Sequence, residues 1–64
     1  MTNGQKLRMH RERKRLTTLQ CAVKAKVPHA VWVSFELDEL ADVDAALAAF
    51  VDRFTDGEVA WQAS

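Results

Sequence analysis

The sequence predicts an α+β fold: a basic N-terminal segment followed by β-β-α-β, with one helix on a three-stranded antiparallel sheet. Three observations predict it. Apolar residues alternate with others over residues 19–27 and again over 31–37, the period of half-buried strands. A helical apolar stripe runs through residues 39–54. And charge separates sharply between the two halves of a 64-residue chain whose net charge is zero, which sets the first residues apart from the rest.

The N-terminal element comes first. Residues 5–15 contain good helix formers with only Leu7 and Met9 apolar, so residues 1–15 are expected as a basic helix or arm and residues 16–64 as the small α+β domain. In the first strand Leu19, Cys21, Val23, Ala25 and Val27 share one face. Val31, Val33, Phe35 and Leu37 share a face in the second, where Val, Trp and Phe favour strands. An odd-length loop keeps both apolar sets on one side of the sheet. The loop Pro28-His29-Ala30 pairs Val27 with Val31, Ala25 with Val33, Val23 with Phe35 and Cys21 with Leu37, although it lacks the glycine such loops favour.

Residues 39–54 place Leu40, Val43, Leu47, Phe50, Val51 and Phe54 on one arc of a helical wheel. Asp38, Glu39, Asp42 and Asp44 crowd its start, where the helix dipole favours negative charge, and Asp38 or Asp42 is the expected N-cap. Gly57 suits the left-handed position beyond the helix end. Residues 58–62 are expected as the last strand, with Val59 and Trp61 on one face.

The same residues admit a second architecture. Leu7-Arg8, Arg11-Glu12 and Leu16-Thr17 are followed by Gln20, Ala22, Val27, Pro28, Trp32, Phe35 and Glu36. In this order, residues 7–36 resemble the start of a Cro/cI-type helix-turn-helix domain. The resemblance implies an all-α fold with residues 18–25 and 29–36 helical. It implies Thr17 as a cap completed by Gln20, Pro28 opening the recognition helix, Trp32 and Phe35 buried, and a dimeric sequence-specific repressor. Two departures stand out. Lys26 occupies the turn position that is usually glycine, and the recognition helix would be almost wholly apolar. Leu19, Val23, Val31 and Val33 would also lie on or near the surface, whereas the β arrangement buries all four.

Composition narrows the function classes. With one cysteine, two histidines and two glycines, there is no disulfide within the chain, no zinc spacing and no phosphate-cradling loop. No nucleophile has a base at recognisable spacing. A non-enzymatic binding or regulatory protein is expected, with no cofactor, no metal and no small-molecule substrate. A lone cysteine, no secretory leader and no membrane-spanning run point to the cytoplasm. Cys21 reads as a packed thiol, His29 as an exposed turn residue, and His10 as a histidine among cations.

Residues 1–26 carry eight cations and one acid, a net +7, and residues 27–64 carry one cation and eight acids, a net −7. The basic half is expected to meet nucleic acid or a nucleic-acid-handling complex, with Arg8, Arg11, Arg13, Lys14 and Arg15 neutralising phosphates. On the hairpin, Trp32 lies on the open face beside Lys24 and Lys26, where a ring flanked by lysines can stack a base or anchor a protein interface. Packing of this open face against the chain's own N-terminal helix or against the second subunit of a homodimer is at least an equal alternative. The acidic residues Asp38, Glu39, Asp42 and Asp44 suggest a protein-only inhibitor that occupies a basic groove. Residues 41–47 are similar to the strand-to-helix entry of small phage RNA-polymerase inhibitors. By fold-level analogy this groups the chain with small phage- or plasmid-type regulators, including polymerase inhibitors and anti-CRISPR proteins.

Overall fold

The computed structural model describes residues 1–39 and 43–59. They form four helices: α1 (Asn3–Arg13), α2 (Thr18–Ala25), α3 (His29–Glu36) and α4 (Ala45–Phe54). There is no strand among the described residues. The expected β-β-α-β sheet is therefore overturned, and both arms of the expected hairpin are helices, α2 and α3. Of the expected last strand, Glu58 and Val59 lie in no strand, and residues 60–62 fall outside the described residues. The helix expected over 39–54 exists from Ala45 onward, capped by Asp44 rather than by Asp38 or Asp42.

The alternation misled for a definite reason. In α2 the buried residues are Cys21 and Ala22, with Ala25 half-buried, while Leu19 and Val23 are exposed. In α3 they are Trp32 and Phe35, with Val31 half-buried. Both sets follow the i, i+1, i+4 spacing of a helix. Ala22 is too small to register as a core residue in a pattern of large side chains, and the alternation puts Trp32 on the wrong face.

Local chemistry explains the helix ends. Thr2-x-x-Gln5 and Thr17-x-x-Gln20 both form complete capping boxes, opening α1 and α2. In the second, the Gln20 amide N–H donates to Thr17 Oγ1 at 3.1 Å and the Thr17 N–H donates to Gln20 Oε1 at 2.9 Å. Asp44 Oδ1 accepts the Leu47 N–H at 2.8 Å to open α4. Pro28 precedes α3 without a side-chain cap; a proline there leaves no amide N–H unsatisfied.

All four helices end alike. Arg15, Lys26, Asp38 and Asp56 have positive φ of 53–61°. At each end the next residue's N–H reaches back to a carbonyl five residues earlier, as Val27 does to Ala22 at 3.0 Å and Leu16 to Arg11 at 3.2 Å. This is the Schellman arrangement. Glycine is the usual occupant of the left-handed position, and here it is never used; Gly57, at φ +81°, follows Asp56.

The α3 helix sits at the centre, with α1 and α2 packed on it. Leu7, Cys21, Ala22, Trp32, Phe35, Val43, Leu47, Val51 and Val59 make up the core. The Trp32 ring meets Phe50 and Phe54 of α4 edge-on, at centroid separations of 6.1 and 5.8 Å. Thr55 Oγ1 donates to Val51 O and accepts the Val59 N–H, which seats Val59 in the core. The basic segment is not a detached arm, because Leu7 and His10 of α1 are buried. At its start Gly4 lies so close to α3 that a Cβ there would stand 2.5 Å from Glu36 O and 2.6 Å from Phe35 O.

Candidate nucleic-acid interface

The side chains proposed for phosphate contact divide into two groups. Arg13, Lys14 and Arg15 follow one another at the end of α1, and Lys24 and Lys26 lie at the end of α2; all five residues are exposed. Lys14 Nζ stands 5.0 Å from the centre of the Phe54 ring, a cation–π contact that steadies the side chain without spending its charge. Arg13 donates a long, weak contact to Met9 Sδ at 3.6 Å. Arg8 pairs with Glu12 at 3.6 Å across one turn, an exposed pair of little energetic weight.

Arg11 belongs to neither surface. Its Nε donates to Glu36 Oε2 at 2.6 Å, one Nη to Glu36 Oε1 at 3.2 Å and the other to Leu16 O at 2.9 Å. The pair is largely buried, with the side chains 14% and 7% exposed. The hydrogen bond to Glu36 raises the guanidinium pKa above its already high value, against the opposing effect of burial. Glu36 Oε2 also accepts Trp32 Nε1–H at 2.6 Å. One carboxylate thus ties α1 to α3 and satisfies the buried indole.

This corrects two of the sequence readings. Trp32 is not on an open face beside Lys24 and Lys26; it is fully buried and cannot stack a base. Arg11 is a brace whose donors are already engaged.

The N-terminal ends of α2 and α3 meet at the surface. Thr18 Oγ1 and His29 Nε2 are hydrogen-bonded at 2.7 Å, so His29 opens α3 with its ring held and is not a free turn residue. Beyond it the accessible part of α3 offers Ala30, the half-buried Val31 and Val33, and Ser34, whose hydroxyl donates to Ala30 O.

The residues expected as an acidic face are partly engaged within the fold. Asp38 accepts the Gly4 N–H at 2.9 Å and the Thr2 hydroxyl at 2.5 Å, so it closes the start of α1. Asp44 caps α4. Glu39 is exposed, and Asp42 lies outside the described residues. Two of the four carboxylates are therefore committed to helix starts.

His10, whose role the sequence left open, is buried and bonds Glu58 Oε2 through Nε2 at 2.8 Å. Cys21 is buried, and desolvation pushes its thiol pKa up. That keeps it a protonated packing group. Among the described residues no three His, Cys, Asp or Glu side chains gather to hold a metal, and no helix is long and apolar enough to cross a membrane.

A groove of about 440 Å³ lies on the outer side of α2, lined by Leu16, Leu19, Gln20, Val23 and Lys24. Comparison of the chain with family models, with curated proteins and with solved structures finds no match.

Proposed function

We propose that this chain is a small, non-enzymatic, cytoplasmic regulator of helix-turn-helix type that binds duplex DNA, with α3 laid toward the major groove. One observation carries the reading. Residues 18–25 and 29–36 are helices joined at Lys26-Val27-Pro28, and Arg11 and Glu36 lock α1 across them. These are the helices that the resemblance to Cro/cI-type domains requires, and Arg11 and Glu36 are two of the residues that carry it. Exposed cations lie just before the unit, at 13–15, and at the end of α2, at 24 and 26. The paired ends of α2 and α3 present backbone N–H groups and Thr18-His29, the kind of donors that seat on phosphates.

Base readout through such an α3 is limited. His29 is its polar tip, and Ala30 and Val33 are suited to thymine methyl groups rather than to hydrogen-bonded base edges. Affinity then rests mainly on phosphates, with a modest preference for thymine-bearing steps.

Fluorescence anisotropy on labelled duplex across a salt series tests this. Binding weakens with salt by about 0.9 log units per log unit of salt for each phosphate neutralised. Changing Arg13, Arg15 and Lys26 together to alanine is expected to flatten the slope by about three. The reading fails if duplex does not bind near ~50 mM salt at protein concentrations of ~100 μM, the weak end of non-specific affinity. An unchanged slope in the triple variant overturns it equally.

A further inference from the structure

We infer that the outer face of α2 is a docking groove for an acidic amphipathic helix of a partner protein, a role separate from DNA contact. Leu19 and Val23 are 56% and 69% exposed. They lie on one side of α2 four residues apart, and with Leu16, which precedes the helix, they line the groove alongside Gln20 and Lys24. An apolar side chain exposed once is ordinary, but two of them one turn apart over a formed groove mark a binding surface. The opposite side of α2 holds its core contacts through Cys21 and Ala22, and Leu16 packs against that core, whereas among the described residues Leu19 and Val23 stand outside it.

Charge selects the occupant. From residue 13 to residue 26 the chain carries five cations and no acid, and Lys24 stands in the groove wall itself. A second copy fits badly through the faces its described α2, α4 and Leu37 present. Its α2 laid against this one would bring Lys24 and its neighbours face to face with their equals. Its α4, with one acid and one cation, has buried Leu47 and Val51 in its own core and exposes Ala45, Ala46, Ala49, Asp52 and Arg53, which offer methyl groups but neither an apolar stripe nor a net negative charge. Leu37, 60% exposed beside Glu39, is a single knob and cannot cover a groove lined by three apolar residues. What fits is a foreign helix with leucine-like residues at i, i+3 or i+4 and i+7 and carboxylates on its flanks, able to meet Lys24 and the cations that bracket α2.

The probe is a synthetic peptide of about four helical turns with leucine on one face and glutamate elsewhere, compared with a twin carrying lysine for glutamate. Titrated into the labelled protein without DNA, the glutamate peptide is expected to shift the amides of residues 16–24 saturably. The lysine twin is expected to bind at least about tenfold more weakly. Leu19→Ser and Val23→Ser remove exposed groups, so both should fold, as circular dichroism checks, and should lose about tenfold or more of the peptide affinity. Lys24→Glu should reverse the preference between the two peptides. Three results overturn the proposal: no saturable shift with the glutamate peptide, equal binding of the lysine twin, or concentration-dependent dimerisation in sedimentation with shifts at the same residues. None of these depends on whether the protein binds duplex.

Discussion

The seam between α1 and α3 and the outer face of α2 invert each other's chemistry. In the seam a charged pair is inside: Arg11 and Glu36 lie largely out of water, with Trp32 Nε1–H on the same carboxylate. On the outer face of α2, Leu19 and Val23 are in water. The difference separates what a small protein needs in order to hold together from what it leaves open. A chain of this size has a thin core, and a directional polar contact between two helices fixes their placement in a way that a few apolar contacts do not. The exposed leucine and valine do no such work.

Breaking each region in turn gives the largest contrast. Glu36→Ala leaves the Arg11 guanidinium and the Trp32 indole N–H buried without their acceptor. Removing one partner of a buried pair costs about 3–5 kcal/mol, which rivals the whole stability of a domain this small. The variant is expected to be largely unfolded by circular dichroism at room temperature. Leu19→Ser, on the open face, is expected to change the unfolding free energy from urea titration by no more than about 0.5 kcal/mol. Comparable losses from the two substitutions would mean that the outer face of α2 is structural, and that the contrast between the regions is wrong.

The same contrast explains what could be read from sequence. Period and size fail where the buried residues are small or polar. Ala22, Arg11 and Glu36 are interior, yet none of them belongs to an apolar alternation, while Leu19 and Val23 complete one and are exposed. The capping box at Thr17-x-x-Gln20 was legible and marks a helix start whatever the periodicity. The left-handed turn at Lys26 was not, because a lysine gives no sign of positive φ. Within the candidate interface, the exposed cations were legible from charge alone. The loss of Arg11 and Trp32 from it was not, since both depend on Glu36, which is distant from Arg11 in sequence and reaches it only when α3 is helical.

Lys26 gives the second, smaller test, and it joins stability to the surface. Its left-handed conformation, φ 61° and ψ 42°, costs a residue with a Cβ about 1 kcal/mol relative to glycine. Lys26→Gly is therefore expected to raise the unfolding free energy from urea titration by up to about 1 kcal/mol while removing one cation, so that the salt slope of duplex binding falls by about one. Greater stability with an unchanged slope would remove Lys26 from the interface and leave the cations at 13–15 to carry it. A loss of stability would instead show that the lysine side chain supports the turn.

The third and smallest effect lies at the other polar contact of the interior, between His10 and Glu58. It differs from the seam in exposure: the His10 side chain is 7% exposed, but that of Glu58 is 51%. The hydrogen bond to His10 holds the Glu58 carboxyl below its ordinary value of 4.5, with Lys6 and Arg13 adding weaker attraction. A carboxyl lowered in the folded state stabilises the fold above its ordinary value, and this contribution disappears as pH falls through the folded value. The comparison that isolates this contact is with Glu58→Gln. Urea midpoints of the two proteins should differ near neutral pH, with the wild type higher, and should converge as pH falls through the folded value of Glu58, below which both side chains are neutral. A gap that persists unchanged at low pH would mean that the contact acts by shape and hydrogen bonding alone. His10–Glu58 would then resemble an apolar clasp more than a weaker copy of the Arg11–Glu36 seam.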